Sequence, residues 1–331
     1  MGKQLWGVLT TFRRPEQLLR TLAVLAGQTK CLDHLVIVDN GGDAGSRLAD
    51  ELAVPTAAHH VTLLSQDHNL GPAGAIAVGM GYVAANAGPD AWVVTFDDDD
   101  PPQFPDALAC LWLTAQRLLE DSPEVGAVGV GGCQFDARRV RVRRLRNDEL
   151  TGSPMQVATL SGNHHPMIRV AAIRDVGPYS SELFFGQEEL EFFLRMHRHG
   201  WKAFCDSGLL RRYRDARGRT GAPTTPSRSL GPADWRRYYS IRNRVYVGLE
   251  YGGRWPAWRV IGEVVGKLAV NSIRHPRASF AHSILTARAC FDGLTGRLGD
   301  TWPPELTQAG HLPVNPQKRR RLAEAERAQQ M

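Results

Sequence analysis

Apolar and polar residues alternate along the first half of the chain in blocks that predict a doubly wound α/β sheet. Short continuous runs rich in β-branched residues, such as Leu5–Thr10, Leu35–Val38 and Trp92–Phe96, are typical of parallel strands buried on both faces. Between them lie segments with apolar residues at helical spacing, the first beginning at Pro15. Strands that alternate with helices in this way predict one mostly parallel sheet flanked by helices.

The other predicted elements continue this pattern. They are strands at Val61–Leu64 and Val125–Val130, and helices at Ala44–Leu52, Ala75–Ala85, Asp106–Leu119, Phe184–Arg198, Asp234–Tyr251 and Trp255–Ile273. We expect an α/β domain over residues 1–232, a helical basic C-terminal extension over residues 233–315, and a flexible basic tail over residues 316–331.

Two segments of the second half are unusually basic. Phe135–Leu150 alternates arginines with Val140, Val142 and Leu145, which predicts a surface ribbon with one basic face. Arg211–Gly231 is rich in Arg, Gly, Pro, Ser and Thr, which predicts a mobile loop.

Charge divides the chain into two unlike parts, although the net charge of its 331 residues is only +6. Residues 1–206 carry 18 Lys and Arg against 25 Asp and Glu, whereas residues 207–331 carry 22 against 9. We expect a cation in the acidic part. The basic part is suited to an anionic membrane, a nucleic acid or a polyanionic substrate.

The five scattered cysteines form no CxxC pair and no paired spacing, which predicts a reducing compartment without a disulfide framework or zinc site. No signal peptide is recognisable, and no run of 18 uncharged apolar residues occurs, so we expect no membrane span. The expected location is the cytoplasm, and peripheral attachment to the inner face of the plasma membrane stays open.

Four consecutive carboxylates, Asp97 to Asp100, follow the predicted strand Trp92–Phe96 and precede two prolines. Adjacent like charges repel one another, so a fold that holds them together needs a cation. Mg²⁺ and Mn²⁺ prefer oxygen ligands, and open α/β sheets bind ligands at the carboxyl ends of their strands. The run therefore predicts a metal–diphosphate site, with a solvated acidic turn as the plainer alternative.

Four motifs agree in order and spacing with a known family. They are Val-Leu-Thr-Thr-Phe-Arg-Arg-Pro from Val8, Val-Asp-Asn-Gly-Gly from Val38, Asn-Leu-Gly-Pro-Ala-Gly from Asn69 and Phe-Asp-Asp-Asp-Asp-Pro-Pro from Phe96. With the acidic segment Glu188–Phe192, the sequence resembles family 2 inverting glycosyltransferases of the GT-A fold. Within them it is most similar to bacterial galactofuranosyl- and rhamnosyltransferases that extend cell-surface polysaccharides.

The resemblance implies a nucleotide-sugar-binding and catalytic domain over residues 1–232. The donor-binding residues that it implies are Thr10, Thr11, Phe12, Arg14, Asp39, Asn69, Gly71, Gly74, Asp97 and Asp98. The implied ligands of Mn²⁺ or Mg²⁺ are Asp97 and Asp99, with Asp100 as a turn residue. An ordinary strand–helix turn at Asn69–Gly74 and a turn cap at Asp39 stay open as alternatives.

By the same resemblance, the catalytic base lies in the acidic segment. In an inverting transfer, one carboxylate deprotonates the acceptor hydroxyl as it attacks the anomeric carbon from the face opposite the leaving group. We assign this role to Glu189, with Glu188 as the second candidate, and expect Arg195 to orient Glu191. The residues assigned to acceptor binding are Asn163, His164, His165 and Glu191.

One feature of the family is missing. Many members carry a further metal-binding histidine beyond the base, but residues 203–220 contain none. Arg212 or Tyr213 occupies this neighbourhood, and Arg212 would neutralise the diphosphate directly. Other candidate ligands are His197, His199 and the pair His164–His165, although we favour acceptor contacts for the pair.

These expectations support metal-dependent, inverting transfer of a sugar from a nucleotide diphosphate to a cell-surface glycan or lipid-linked acceptor. UDP-galactofuranose and dTDP-rhamnose are the favoured donors. The alternative is a non-catalytic nucleotide-binding scaffold of the same fold. No nucleic-acid partner is expected, because no fold signature for one is present, and a homo-oligomer stays open.

The basic helical region is the candidate for contact with an anionic membrane. Its aromatic residues interleave with arginines, a combination that suits a bilayer interface. These aromatic residues are Trp235, Tyr238, Tyr239, Tyr246, Trp255 and Trp258. An ordinary pair of helices with a solvated basic face is the plainer alternative.

Overall fold

The computed structural model describes residues 3–41, 58–161, 164–218 and 235–302, except His275. The chain separates into two compact units, Met1–Thr225 and Pro226–Met331. The predicted domain boundary at residues 232/233, the predicted helix Ala44–Leu52 and the predicted tail from residue 316 lie outside the described residues.

A mixed sheet forms the centre of the first unit. The strands are β1 (Leu5–Thr11), β2 (Leu32–Asp39), β3 (Ala58–Ser65), β4 (Trp92–Asp97), β5 (Val125–Gly129), β6 (Gly132–Asp136), β7 (Arg141–Arg144), β8 (Pro154–Val157), β9 (Thr159–Leu160), β10 (Met167–Arg169) and β11 (Lys202–Asp206). Eight of them pair in the order β3-β2-β1-β4-β10-β5-β11-β8, and β7-β6-β9 form a smaller sheet. The run from β3 to β4 is parallel, as is the β5–β11 pair, whereas β10 and β8 are antiparallel to their neighbours. The predicted mostly parallel α/β architecture is confirmed.

Helices of the first unit connect these strands. They are α1 (Pro15–Ala26), α2 (Gly71–Asn86), α3 (Ala107–Asp121), α4 (Val170–Val176), α5 (Glu188–Arg198) and α6 (Ser207–Ala216). Pro15 opens α1, which buries Leu18, Leu22 and Leu25 against the core, as their spacing predicts. In α2, a Cβ at Gly79 would stand 2.4 Å from Val8 Cγ1, so the absence of a side chain lets this helix lie close to β1.

The predicted mobile loop over Arg211–Gly231 is wrong at its beginning, because α6 continues to Ala216. The Asp206 side chain caps this helix by accepting a hydrogen bond from the Leu209 amide at 2.9 Å. Leu209, Leu210 and Tyr213 are buried. The prediction failed because it relied on composition. Arginines stand between the buried residues, so the apolar stripe of the helix is not evident from the number of charged residues.

The predicted basic ribbon is present as the antiparallel pair β6–β7, but it does not have a single basic face. Val142 is 44% exposed, and the arginines of β7 are exposed as well. All four residues of β7 are exposed although their side chains point alternately to the two faces, so neither face of this strand is covered.

The carboxyl ends of four parallel strands meet at one edge of the large sheet. Thr10 pairs with Asp97, Thr11 with Asp39, and Asp39 with Ser65. The strand order reverses between β1 and β4, which is where open α/β sheets bind ligands. The acid run therefore begins at the topological switch point.

The second unit consists of α7 (Trp235–Val247), a π-helical turn (Gly248–Gly252), α8 (Arg254–Arg274) and α9 (Pro276–Thr295). Its core contains Arg242, which is fully buried and lies over the rings of Tyr238 and Tyr239. The guanidinium donates hydrogen bonds to Asn243 Oδ1 at 2.8 Å and to the Gly299 carbonyl oxygen at 2.7 Å. These two tyrosines are therefore core residues and not part of an interfacial aromatic belt.

Arg242→Ala is expected to destabilise the second unit by roughly 3 kcal/mol or more, because two buried acceptors lose their donor and a cavity is left between the rings. Chemical denaturation followed by circular dichroism measures the change. Arg297→Ala, which shortens an exposed arginine of the same unit, should cost under about 0.5 kcal/mol. Equal losses for the two variants would contradict this account of the core.

No helix in the described ranges has the combined length and apolar character needed to cross a membrane.

Candidate active site

The acid run forms a turn that β1 and α1 hold in place. The Thr11 hydroxyl donates to Asp98 Oδ2 at 2.8 Å, and the Thr10 hydroxyl approaches Asp97 Oδ1 at 3.4 Å. From α1, the buried Thr21 hydroxyl donates to the backbone carbonyl oxygen of Asp98 at 2.7 Å. The threonines thus fix where the carboxylates point before any ligand binds.

Two arginines partly neutralise the acid turn. Arg14 Nη1 lies 2.7 Å from Asp99 Oδ2 and 3.4 Å from Asp98 Oδ1, and Arg217 Nη2 lies 3.6 Å from Asp100 Oδ1. The Asp99 side chain is 51% exposed, whereas that of Asp98 is 7% exposed. Asp98 therefore belongs to the wall of the site, and Asp99 is open to a ligand.

The acid turn lies electrostatically close to the first residues of α5. Burial raises the pKa of Asp97 to about 7, and the charges of Glu189, Asp99 and Asp98 add to this shift. Burial, followed by the charge of Glu189, also raises the pKa of Glu188 well above its usual range. The fold thus concentrates more carboxylates here than its arginines offset.

The start of α5 is held in an unusual backbone conformation. Phe184, Gly186 and Gln187 have φ angles of 60°, 80° and 72°, so the chain turns sharply before Glu188. The Phe184 carbonyl oxygen accepts a hydrogen bond from the Ala73 amide of α2 at 3.2 Å. This contact ties the acidic segment to the loop that precedes α2.

Gly71 is required at that contact for two reasons. Its φ angle is 70°, in the left-handed region that favours glycine. In addition, a Cβ on Gly71 would lie 2.3 Å from the Phe184 carbonyl oxygen. The implied donor-loop glycine thus also sets the position of the base segment.

The side of the cleft next to β2 combines a buried carboxylate with an exposed ring. Asp39 is fully buried, and its Oδ1 accepts a hydrogen bond from the Gly41 amide at 3.3 Å. Phe12 is 37% exposed, and a Cβ on Gly41 would lie 2.9 Å from its ring. An open aromatic face beside a carboxylate suits a planar base with ring N–H groups.

Asn40 organises the donor loop, a role that we did not predict. Its side-chain amide donates to Asn69 Oδ1 at 3.0 Å and to the Gly71 carbonyl oxygen at 3.2 Å, and its Oδ1 accepts from the Leu70 amide at 2.9 Å. Asn69 Oδ1 also accepts from the Gly71 amide at 2.8 Å, so this oxygen of Asn69 shapes the loop. A Cβ on Gly74 would lie 2.6 Å from Leu70 Cβ, which keeps this turn tight.

Tyr179 is a second residue that the sequence did not single out. It is 2% exposed, and its hydroxyl has no hydrogen-bond partner within the described ranges. Burial raises the pKa of its hydroxyl well above the usual range, followed by the charges of Glu189, Glu188 and Asp97. Tyr179 therefore lines the inner side of the carboxylate cluster.

The predicted acceptor residues do not form one group. His164 is half-buried, with its ring centroid 6.2 Å from that of Tyr213, and Asn163 lies outside the described residues. His165 is 1% exposed, and its ring centroid is 5.5 Å from that of Phe96. His165 is thus a core residue beneath the site, which removes it from the acceptor-binding set.

Burial lowers the pKa of His165 to about 3 from its ordinary value of 6.5, and the charges of His164 and Arg217 add to this. Between about pH 6.5 and 3, the imidazole of His165 is protonated in the unfolded chain but stays neutral in the folded chain. The free energy of unfolding should therefore fall as the pH decreases from about 6.5 to 3. Asparagine tolerates the positive φ of 52° at this position. In His165→Asn, this pH-dependent part of the free energy of unfolding should therefore be absent when urea denaturation is measured across the pH range. An unchanged pH profile would contradict the buried, neutral state.

Glu191 is linked through Arg195 to the loop that precedes the acidic segment. Arg195 donates to both Glu191 carboxylate oxygens at 3.0 Å, which confirms that Arg195 orients it. Arg195 also donates to the carbonyl oxygens of Val176 and Pro178. Because Glu191 is buried in this bridge, we no longer assign it to acceptor binding.

The other candidates for the missing histidine are occupied elsewhere. Arg212 forms a bidentate ion pair with Asp106 at 3.0 and 3.1 Å, and its contact with a diphosphate stays a prediction. The ring nitrogens of His197 lie 2.9 and 3.0 Å from backbone carbonyl oxygens, and His199 Nδ1 lies 3.0 Å from the Arg195 carbonyl oxygen. Both histidines stand at the end of α5 opposite Glu188 and Glu189.

The residues of the cleft fit a cation that shares its coordination with a ligand. Among the described residues, no three His, Cys, Asp or Glu side chains form a complete metal site. The charges of Glu189, Asp99 and Asp98 nevertheless act on Asp97, and Glu188 Oε2 has no hydrogen-bond partner in the described part of the chain. Mg²⁺ and Mn²⁺ are commonly held by one or two carboxylates together with phosphate oxygens and water. Asp97 and Asp99 meet this requirement.

Two solved structures have a loosely similar architecture. GalNAc-T7 with UDP, GalNAc and Mn²⁺ aligns with a TM-score of 0.47 and 13% identity, covering 62% of this chain and 43% of that one. The mannosyltransferase PcManGT of Pyrobaculum calidifontis, in complex with GDP-Man and Mn²⁺, aligns with a TM-score of 0.45 and 15% identity, covering 90% of this chain and 88% of that one.

Sequence similarity is higher to two mycobacterial proteins. Galactofuranosyltransferase GlfT1 of Mycobacterium tuberculosis is 34% identical over 206 residues, 60% of this chain and 66% of that protein. GlfT1 of Mycolicibacterium smegmatis is 32% identical over 203 residues, 58% of this chain and 65% of that protein. The chain thus spans just under two thirds of the length of these relatives. The model of the family described as glycosyl transferase family 2 matches residues 8–176, more than half of the 331 residues. The chain belongs to glycosyl transferase family 2.

Proposed function

We propose that the chain transfers a sugar from a nucleotide diphosphate to an acceptor hydroxyl with inversion at the anomeric carbon. The observation that carries this proposal is the electrostatic proximity of Asp97, at the end of β4, to Glu189, at the start of α5. This pairing supports one donor-binding carboxylate group and one base on opposite sides of a single cleft.

The donor is bound along the carboxyl ends of β1, β2 and β4. Phe12 and Asp39 receive the base and ribose, and Thr10, Thr11 and Arg14 shape the wall next to the phosphates. The Asn69–Gly74 loop, fixed by Asn40, brings backbone close to the nucleotide. This loop and the base segment meet at Gly71 and Phe184, so donor and base are positioned relative to one another.

Glu189 is the general base, and Glu188 is not. Glu189 is half-buried, whereas Glu188 is buried, and burial raises the pKa of Glu188 well above its usual range. A general base must come within hydrogen-bond reach of the acceptor hydroxyl, which favours the more accessible Glu189. Glu188 instead supports the site as the buried neighbour of Glu189.

Asp99 and Asp97 would hold Mn²⁺ or Mg²⁺ together with the diphosphate. When bound, the cation stabilises the negative charge that develops on the diphosphate leaving group. Arg14 already pairs with Asp99, so it stands where it can contact the phosphates once the cation has replaced it.

UDP-galactofuranose is the favoured donor because the named relatives are galactofuranosyltransferases. The motif resemblance, and not the names of the relatives, favours a glycan or lipid-linked glycan of the cell surface as the acceptor, and polysaccharide synthesis as the pathway. dTDP-rhamnose is the alternative that the motifs leave open. The half-buried His164, whose ring centroid lies 6.2 Å from that of Tyr213, is the remaining candidate for acceptor contact.

A donor screen tests this proposal. The full chain is incubated with UDP-galactofuranose, dTDP-rhamnose, UDP-glucose and UDP-N-acetylglucosamine, each with Mn²⁺, with Mg²⁺ and with EDTA, and nucleotide release is measured with and without added acceptor glycans. We expect release from UDP-galactofuranose that requires the cation. Tight nucleotide binding without release from any donor would instead support the non-catalytic scaffold, and cation-independent release would refute the metal assignment.

A further inference from the structure

One face of α8 carries exposed apolar side chains along its length. Of the large apolar side chains that are exposed in the described residues, five stand on this helix. They are Trp255 (85% exposed), Trp258 (56%), Val265 (48%), Val270 (54%) and Ile273 (85%). At 3.6 residues per turn these five positions fall within an arc of about 140°.

The opposite face of α8 belongs to the core of the second unit. Ala257, Val260 and Val264 are 0%, 0% and 7% exposed. These positions lie about half a turn away from the exposed arc. The helix therefore has two apolar faces, of which the second unit covers only one.

Basic residues border the exposed arc. Arg254 and Arg259 are exposed near the tryptophans, and Lys267 is 46% exposed on the other margin. No exposed position of α8 with a described side chain carries a carboxylate, since Glu263 is half-buried and pairs with Arg244 and Lys267. The face thus combines exposed apolar side chains with net positive charge, because the one carboxylate described beside it is already paired with two cations.

We infer that this face of α8 docks on an anionic lipid bilayer and lies in the plane of the headgroups. Tryptophans that stand beside arginines, an apolar stripe and cationic margins are the features of interfacial helices. The long basic side chains can reach phosphate groups while the stripe enters the acyl boundary. The 21 residues of α8 give a contact of about 30 Å along the surface.

A bilayer is favoured over a protein partner by the chemistry of the face. Apart from the indole N–H groups of the two tryptophans, the five side chains carry no hydrogen-bonding atom, and none of the exposed side chains described on this helix is acidic. A specific protein interface usually carries about one hydrogen bond per 100–200 Å², whereas this stripe offers only the two indole donors. The inference concerns the second unit alone and does not depend on the proposed sugar transfer.

Flotation of the full chain with lipid vesicles tests the inference. Vesicles of phosphatidylcholine alone are compared with vesicles that also contain about 30% phosphatidylglycerol, at low and high salt. The wild-type chain should bind the anionic vesicles more tightly, and salt should weaken that binding.

Two double variants separate the apolar and the ionic contributions. Trp255→Ala with Trp258→Ala should lower the partition coefficient at least about tenfold, because the deepest apolar contacts are lost. Arg254→Gln with Arg259→Gln should lower it about twenty-five-fold on anionic vesicles, at about fivefold per cation, and hardly at all on neutral ones. Circular dichroism checks that these exposed substitutions leave the fold intact.

Matched controls lie on the first unit. Leu113→Ala removes an apolar side chain that is 54% exposed on α3, and Arg20→Gln with Arg117→Gln removes the same charge from exposed positions. Neither should change vesicle binding by more than about twofold. If the α8 variants bind like these controls, or if the tryptophan variant changes the oligomeric state and not the lipid binding, the bilayer assignment is wrong. If both α8 variants still bound the anionic vesicles through the basic tail at residues 316–331, the assignment would also be wrong.

Discussion

Glu189→Gln is expected to abolish sugar transfer while leaving nucleotide binding intact. The substitution keeps the size and hydrogen-bonding outline of the side chain but removes its ability to accept a proton. General-base catalysis contributes roughly 10²–10⁴-fold, so turnover should fall by that factor. Isothermal titration with UDP and Mn²⁺ should give a dissociation constant within about twofold of the wild type, because no donor contact is lost.

Glu188→Gln is the informative partner of that variant. Since the Glu188 carboxyl is buried and its pKa is raised well above the usual range, glutamine mimics its protonated form. We expect turnover within about fivefold of the wild type, and Glu120→Gln, on the exposed face of α3, to have no effect. If Glu188→Gln were inactive and Glu189→Gln active, the two roles would have to be exchanged.

Asp97→Asn should stabilise the ligand-free protein and abolish its response to cation and nucleotide. In the wild type, desolvation and the charges of Glu189, Asp99 and Asp98 all disfavour the ionised form of Asp97. Removing its charge should raise the free energy of unfolding at pH 8 by roughly 1–3 kcal/mol. The same change removes a proposed ligand, so the large thermal shift expected for the wild type with UDP and Mn²⁺ should be lost.

The pH dependence of stability shows why Asp97→Asn should stabilise the protein. The pKa of Asp97 rises from 3.8 to about 7 on folding, so between these values the folded chain retains a proton that the unfolded chain has released. Stability should therefore decrease as the pH rises through this window, and Asp97→Asn should lack that component. Asp121→Asn, at an exposed position, serves as the control in the same urea denaturation series. A variant less stable than the wild type at pH 8 would contradict the excess of negative charge.

Much of the framework follows from the sequence because its signals are local. The β-branched runs at Leu35–Val38 and Trp92–Phe96 have apolar side chains on both sides of the strand, which a parallel sheet buried on both faces accommodates. Parallel strands end at a common edge, so residues that follow them, such as Asp39 and Asp97, come together. The meeting of these carboxylates at one edge of the sheet was therefore foreseeable from pattern alone.

Other parts of the site depend on contacts between distant segments. Arg217 reaches Asp100 across more than 100 positions of the sequence, and nothing local distinguishes it from Arg212, which pairs with Asp106. Tyr179 comes under the influence of the carboxylates in the folded chain, where its ring centroid lies 4.9 Å from that of Phe192 in α5. Such choices are made by tertiary packing, which spacing along the chain does not encode.

Burial of polar residues was the main source of error. His165 was assigned to acceptor binding, and Tyr238 and Tyr239 to a membrane interface, because polar and aromatic residues among basic ones are common at surfaces. In the structure, His165 packs against Phe96, and Arg242 is enclosed by two tyrosines and a carbonyl oxygen. Each is accommodated by a specific three-dimensional environment, which composition cannot reveal.

The most direct test of the central claim is a crystal structure of the protein with UDP and Mn²⁺, with the manganese located by its anomalous scattering. We predict a single strong anomalous peak within ligating distance of Asp99 or Asp97, bridged to the diphosphate, with the Glu189 carboxylate facing the open side of the β-phosphate. A nucleotide bound away from the ends of β1 and β4, or manganese held by other residues, would contradict the account.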